Sequence, residues 1–338
     1  MSRARPPQGI RLGPVCMTLA LLATSGCDWG MNDRAGGPGS AKPKVTVGFQ
    51  ISPAMALVMV AKDKGLFEGI DVELREFTAG KFALQAFLSQ SIDYAISGEV
   101  PVTLAILQGN ETRVVAQVVD RTINEVRVVA RRDGNLTDPV QYFKAKRRKI
   151  ATSFGGGPEF FTYTFLKRHG IGQGEVEILS QKPEDMPAAL VAGSVDAIFI
   201  FDPFAFVAEQ KMGTRGITFT DPEGYSELYV LNARPSQVEK EAPTIERLVQ
   251  GLTRAVKAVE EDPEGAKAIV RKYTKLDQET LDGIWKSFVW GTALTPELIR
   301  VWEAEAAWAQ ETGMVPPGTP TPNFHRILVD RFVTRATP

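Results

Sequence analysis

The sequence predicts an α/β fold of two lobes, each built on a largely parallel sheet, and two observations lead to this expectation. The stretch SQSIDYAISGEVP at 89–101 is nearly echoed by AGSVDAIFIFDPF at 192–204, which indicates a duplicated unit. In both units, short runs rich in valine and isoleucine alternate with runs of helical apolar spacing, as buried parallel strands and their covering helices do. Such strand–helix–strand connections make right-handed crossovers and leave both faces of the sheet covered.

The two units keep their spacing over many landmarks. VTVGFQISP at 45–53 aligns with KIATSFGGGP at 149–158, which places Phe49 over Phe154 at an offset of 105. Near the other end of the unit, Asp93 aligns with Asp196 at an offset of 103. A drift of only two residues indicates that the whole unit is repeated.

Within each unit the elements follow in the order strand, helix, strand, helix, strand. The first unit has strands around Val45, Val72 and Ile92, and the second has strands around Ile150, Val176 and Val195. Pro53 and Pro158 suit a first helical turn, and Gly65 and Gly170 suit left-handed helix ends. Asp93 and Asp196 each begin a strand after a tight turn, and we interpret both as structural acids that bind the turn.

The last third of the chain is helical in pattern. Apolar spacing predicts helices over 247–261, 264–273 and 296–313. Trp302 and Trp308 lie in the last of these, and we expect them to serve packing rather than recognition.

The first residues have the pattern of a targeting segment. Arg3, Arg5 and Arg11 precede an apolar run at 15–23, which is shorter than the roughly 20 residues that span a bilayer. Thr24-Ser25-Gly26-Cys27 resembles a lipoprotein processing box, so we expect a signal peptide at 1–26, lipidation of Cys27 and a flexible tether at 27–43. Ordinary secretory cleavage near the same place is the alternative.

Composition narrows the class of protein. The chain has 39 basic and 40 acidic residues, and without the three arginines of the targeting segment 36 basic residues remain, which gives a net charge near −4. No basic surface for a nucleic-acid partner is expected. The whole chain has two cysteines and two histidines, and neither histidine has a partner at ligand spacing. We therefore expect no metal, no cofactor and no catalytic residues.

Several motifs together resemble a known family. FQISPAMALVMVAKDKGLFEGIDVELREF, LSQSIDYAISGEVP and AALVAGSVDAIFIFDPF are similar to segments of the substrate-binding proteins of nitrate, sulfonate, taurine and related ABC importers. The resemblance covers about 44–330 and implies the type II clamshell of periplasmic binding proteins, two α/β lobes with a ligand cleft between them. It implies lobe one at 44–131 and 218–332 and lobe two at 132–217. It also implies a permease and its ATPase as partners, and a monomer.

The candidate site follows from the fold, because α/β sheets bind ligands beyond the carboxyl ends of their strands. Thr152-Ser153-Phe154-Gly155-Gly156-Gly157-Pro158 offers backbone amides at a helix start to an anion. Glu99 and Asp202, at matching places in the repeat, suit an amine or hydroxyl groups, although helix capping remains open for each. The expected ligand-binding residues are Phe49, Gln50, Ser52, Thr78, Ser97, Gly98, Glu99, Thr152, Ser153, Phe154, Gly155, Phe201 and Asp202.

The leading functional hypothesis is a solute-binding lipoprotein on the periplasmic face of the inner membrane, held there by Cys27 and serving an ABC importer. Ser97-Gly98-Glu99-Val100-Pro101 resembles a segment of alkanesulfonate-binding members, so an aliphatic sulfonate is the first guess for the solute. A pyrimidine-like heterocycle or another amine is the alternative. Two other hypotheses are a pyrimidine-precursor synthase, whose Cys-rich motif this chain lacks, and a solute-sensing lipoprotein.

Overall fold

A computed structural model describes residues 42–221 and 225–336. The predicted signal peptide, Cys27 and nearly all of the predicted tether lie outside these residues. No helix in the described ranges is long and apolar enough to cross a membrane.

The first sheet contains the three strands predicted for the first unit. They are β1 (Lys44–Gln50), β2 (Asp71–Phe77) and β3 (Tyr94–Gly98), with β1 parallel to both others. A 3-10 turn at Pro53–Met55 leads into α1 (Ala56–Asp63), and α2 (Gly80–Leu88) and α3 (Glu99–Leu107) follow the next two strands. β4 (Arg113–Val119) lies at the edge of this sheet.

The second sheet repeats this arrangement. The short strand β5 (Arg121–Thr122) precedes β6 (Arg127–Arg131), and the helix α4 (Pro139–Lys144) leads to β7 (Arg148–Thr152). The second unit continues with α5 (Gly157–Arg168), β8 (Val176–Ser180), α6 (Met186–Ala192), β9 (Ala197–Ile200), α7 (Phe204–Met212) and β10 (Gly216–Phe219). β7 is parallel to β8 and β9, and the strand order is β10-β6-β9-β7-β8.

The chain then returns to the first sheet. β11 (Tyr229–Ala233) inserts between β3 and β4, which gives the order β2-β1-β3-β11-β4. The helices α8 (Pro235–Lys240), α9 (Ala242–Glu261), α10 (Pro263–Thr274) and α11 (Gln278–Trp285) follow. The remaining elements are β12 (Phe288–Val289), which pairs with β5, and the helices α12 (Pro296–Glu311) and α13 (Arg331–Ala336).

Both faces of the first sheet are covered, as predicted. α1 packs against α9 and α10 on one side, and α3 packs against α12 on the other. Trp302 and Trp308 of α12 are buried in the second of these cores, which confirms that they serve packing. A separate core, which includes Phe143, Phe165 and Phe199, surrounds the second sheet.

The repeat is visible in single hydrogen bonds. The backbone N–H of Thr46 donates to Oδ2 of Asp93 at 2.7 Å, and that of Lys149 donates to Oδ2 of Asp196 at 2.8 Å. Each acid therefore ties the start of the third strand of its unit to the first strand, which confirms the structural role predicted for both. Gly65 and Gly170 have φ of +66° and +60°, so the predicted left-handed helix ends are also confirmed.

Two strands lie on the other side of the expected lobe boundary. β6 was expected in lobe one (44–131) and the end of β10 in its second part (218–332), but both strands belong to the second sheet. The reason is that β6 and β11 each follow a crossing between the sheets and add antiparallel to the sheet they enter. We keep the two-lobe division as a proposal with these strands reassigned, and use lobe one and lobe two for the first and second sheets with their helices.

Candidate functional site

The predicted site residues lie at the carboxyl ends of the strands in both lobes. Gln50 ends β1, Thr78 follows β2 and Glu99 follows β3, while Thr152 ends β7 and Asp202 follows β9. The two sets of strand ends face each other, because Nζ of Lys81 in lobe one donates to the carbonyl oxygen of Phe154 in lobe two at 2.7 Å. Loops of both lobes therefore meet where the sequence predicted a cleft.

A cavity of about 480 Å³ lies between these loops. This volume is within the range of about 300–1,000 Å³ that small-molecule sites occupy. Thr78 and Ser153 are the two predicted residues that line it. The other lining residues are Ala79, Lys81 and Phe82 from lobe one and Ser180, Gln181, Lys182, Pro183 and Glu184 from lobe two.

Lys81 and Lys182 bring two ammonium groups to this cavity and Glu184 brings one carboxylate, and none of the three was among the predicted site residues. Burial lowers the pKa of Lys81, and the nearby carboxylate of Glu159 opposes this effect. Gln181 also lines the cavity, and its Oε1 is buried without a hydrogen-bond partner among the described residues. Hydroxyl, amide and ammonium groups together can hold a small polar solute.

Several predicted residues of lobe one form hydrogen bonds or packing contacts within their own lobe. The side-chain oxygen of Gln50 accepts from the N–H of Gly80 at 3.0 Å, and its Nε2 donates to Oγ of Ser52 at 3.2 Å. Oγ of Ser97 accepts from Nδ2 of Asn232 at 3.3 Å, and Phe49 is fully buried in the core. These side chains hold the strand ends of lobe one in place.

The glycine loop of lobe two already has internal partners. The N–H of Gly155, at φ +76°, donates to Oε2 of Glu159 at 2.6 Å. Phe154 is 42% exposed, whereas Thr152 is fully buried and its Oγ1 has no partner among the described residues. The first turn of α5 therefore carries a carboxylate of its own, which weakens the site as a place for a solute anion.

Asp202 is held in a buried ion pair. Its Oδ2 accepts from Nη1 of Arg127 at 2.9 Å, and its Oδ1 accepts from the N–H of Phe206 at 3.2 Å. Arg127 also binds Glu209 through Nε and Nη2, both at 2.8 Å. Burial raises the pKa of Asp202, and the guanidinium of Arg127 opposes this shift. This residue therefore supports lobe two, and Phe201 beside it is buried as well.

Glu99 has different surroundings. It is fully buried, Oε2 accepts from the N–H of Leu228 at 2.8 Å, and Oε1 accepts from the hydroxyl of Tyr225. Burial raises the pKa of Glu99 to about 7, although the hydrogen bond from Tyr225 acts in the opposite direction. Tyr225 also lines a separate cavity of about 580 Å³ between α5 and α12.

Three further buried glutamates, missed in the sequence, surround Glu99. Glu125 accepts from Tyr229 at 3.1 Å, and Glu305 accepts from Thr103 at 2.5 Å. Burial raises the pKa of both well above the ordinary value, and the repulsion of neighbouring carboxylates adds to the shift. Glu305 follows Trp302 by three residues and therefore lies on the same buried face of α12. This spacing could have indicated from the sequence that Glu305 is buried.

Glu227 is the member of this group that contacts both lobes. A Cβ on Gly98 would lie 2.9 Å from its Oε1, and a Cβ on Gly157 would lie 2.7 Å from its Cδ. Gly98 precedes α3 in lobe one, and Gly157 begins α5 in lobe two. No sequence motif marks Glu227, because it lies in the second crossing between the sheets.

Across the ranges 42–221 and 225–336, no group of three or more histidine, cysteine or acidic residues has a metal-binding arrangement. The hydroxyls of Tyr225, Tyr229 and Thr103 and the N–H of Leu228 donate to the buried glutamates Glu99, Glu125 and Glu305.

Two mixed α/β lobes whose strand ends meet at a shared cavity define the fold of the periplasmic binding proteins. The chain belongs to the NMT1-like family, whose model matches residues 39–273. This confirms the family resemblance of the sequence motifs.

Relatives of known name are consistent with this assignment. The chain is 23% identical over 285 residues to a putative aliphatic sulfonates-binding protein of Bacillus subtilis, covering 82% of this chain and 83% of that one. Its fold is similar to that of the periplasmic aliphatic sulphonate binding protein SsuA of Escherichia coli, with a TM-score of 0.71, 19% identity and coverage of 85% and 97%. The periplasmic nitrate-binding protein NrtA of Synechocystis gives a TM-score of 0.68 at 16% identity, with coverage of 87% and 88%.

Proposed function

We propose that this protein captures a small organic solute between its lobes and delivers it to the permease of an ABC importer. The observation that carries the proposal is the cavity of about 480 Å³ to which both lobes contribute hydroxyl and ammonium groups. A site divided between two lobes couples solute binding to their closure, and a permease can then recognise the closed form. Binding, with no chemical step, is the whole of the proposed activity.

An aliphatic sulfonate is the first solute to test. Relatives named for sulfonates and the side chains of Lys81 and Lys182 support it, because ammonium groups pair with a sulfonate. We further propose lipidation of Cys27 and a location on the periplasmic face of the inner membrane. Loss of membrane association in Cys27→Ser is the expected sign of that anchor.

The test is a thermal-shift screen of the full-length chain against alkanesulfonates, nitrate, pyrimidines and amines. A solute at 100 times its dissociation constant adds about 2.7 kcal/mol to the free energy of unfolding. For a protein of this size that is a rise in melting temperature of several degrees.

Variants locate the bound solute. We expect Thr78→Ala and Ser153→Ala, one from each lobe, to weaken binding by about tenfold, which is ~1.4 kcal/mol. Ser236→Ala on the exposed side of α8 is the control and should bind normally. Binding that survives both cavity variants would place the solute elsewhere, and failure of the solute-loaded protein to associate with any permease would contradict the importer role.

A further inference from the structure

The crossing that returns the chain to lobe one places a carboxylate between the starts of two helices. The carboxylate of Glu227 lies against Gly98 at the start of α3 and against Gly157 at the start of α5. These helices are nine and twelve residues long and belong to different lobes. Glu227 therefore contacts both lobes.

An internal carboxylate at this point works against a solute anion. The N-termini of helices favour negative charge, and a sulfonate would otherwise be stabilised between α3 and α5. The carboxyl of Glu227 occupies that place itself, with Oε1 directed towards both glycines. When Glu227 and Glu99 are ionised, they would also repel a solute anion beside them.

The other oxygen of Glu227 still lacks a donor. The residue is 5% exposed, and Oε2 has no hydrogen-bond partner in the part of the chain that the structure describes. A buried acceptor without a partner costs about 1–3 kcal/mol, and more when it is charged. Oε2 of Glu125 and Oε1 of Glu305 are likewise buried without a partner among the described residues, and the hydroxyl of Tyr229 acts on the Glu227 carboxyl as a hydrogen-bond donor. Glu227 differs from the other two in its contacts with the starts of both α3 and α5.

Positive charge is missing as well. Among the described residues, no lysine or arginine forms an ion pair with Glu227 or with the three other buried glutamates. Fully buried glutamates are rare unless they are paired. Arg127, which binds Asp202 and Glu209, reaches only the backbone carbonyl of Glu125 in this group.

We propose that Glu227 determines the specificity of the cleft and that the solute carries a protonated amine or an amidinium group that donates to its Oε2. This inference rests on the proposed capture of a solute between the lobes. It assigns the solute a cationic group.

Binding of such a solute is coupled to protons. The titratable groups that face Glu227 are the carboxyls of Glu99, Glu125 and Glu305 and the hydroxyls of Tyr225 and Tyr229. Burial and mutual repulsion raise the pKa of these carboxyls, so the solute-free protein holds protons there. A cation pairs with the ionised form, so binding releases protons and affinity rises with pH until the solute amine itself loses its charge.

The experiment compares butylamine and benzamidine with butanesulfonate as probes, using the full-length chain. We expect the amine or the amidine to raise the melting temperature by several degrees, more at about pH 8 than at about pH 6. We expect Glu227→Gln to weaken this binding by at least about tenfold. Glu303→Gln, on the exposed face of α12, is the matched control and should leave binding unchanged.

The outcomes separate this inference from the proposed function. Stabilisation by butanesulfonate alone would overturn the inference and leave solute capture intact. Amine binding of equal strength in Glu227→Gln would overturn it too, as would failure of both cationic probes to bind. If Glu227→Gln does not fold, calorimetry of the natural protein in two buffers of different ionisation enthalpy decides, and binding without proton release would refute the proposal.

Discussion

Replacement of Asp202 by asparagine is expected to weaken lobe two rather than to remove a contact to the solute. Asp202 is fully buried and accepts from Arg127 at 2.9 Å and from the N–H of Phe206 at 3.2 Å. The asparagine side chain keeps the size and one oxygen, but it directs no negative charge at the guanidinium.

The structure sets the expected magnitude. Breaking a buried ion pair by changing one partner costs about 3–5 kcal/mol when the other charge is left alone. Here Arg127 keeps two bonds to Glu209 at 2.8 Å, so we expect a smaller loss of about 2 kcal/mol in the free energy of unfolding. At roughly 2–4 °C per kcal/mol, the melting temperature should fall by about 4–8 °C.

The assay is thermal unfolding of the two proteins with and without a solute that binds the natural protein. Asp185→Asn, an exposed acid, is the control and should change the free energy of unfolding by less than about 0.5 kcal/mol. The solute should still stabilise Asp202→Asn by the same increment as the natural protein. An unchanged melting temperature together with lost solute binding would show that Asp202 contacts the solute, as the sequence analysis proposed.

Two further predictions concern the repeat and the glycines. Asp93→Asn and Asp196→Asn should each lower the free energy of unfolding, measured by chemical denaturation, by about 1.5–3 kcal/mol, because each removes a charged acceptor of a strand amide. The double variant should lower it by the sum of the two losses, since the sites lie in different sheets. Strong non-additivity would contradict this independence. Gly157→Ala should lower the free energy of unfolding by about 1–3 kcal/mol, because its Cβ would lie 2.5 Å from the hydroxyl of Tyr225 and overpacking costs about that much. Gly174→Ala, whose Cβ would meet nothing within 4 Å, should change it by less than about 0.5 kcal/mol, and equal stabilities of the two variants would refute the reasoning.

The parts of the fold that the sequence predicts well are local and periodic. Pro53, Gly65, Pro158 and Gly170 mark helix boundaries through their backbone preferences, and the repeat doubles each signal. β6 and the end of β10 were expected in lobe one but belong to the second sheet, because no local pattern says where a chain crosses from one sheet to the other. That choice depends on tertiary packing.

The candidate site was harder to predict for the same physical reason. Glu99 and Asp202 occupy matching places in the repeat, yet one meets Tyr225 and the other meets Arg127. Their partners come from segments outside the alignment of the two units. Lys81 and Lys182 could have been predicted, since each follows the second strand of its unit by a few residues. Glu227 could not have been predicted, because only the folded chain brings it into contact with both Gly98 and Gly157.

The insertion of β11 between β3 and β4 has a consequence for the order of folding. All five strands of the second sheet lie within 127–219, so that sheet can form from one continuous stretch of chain. The first sheet must wait for residues 229–233, and such distant pairing slows folding because a long loop has to close first. We therefore expect the sheet that is synthesised first to be completed last.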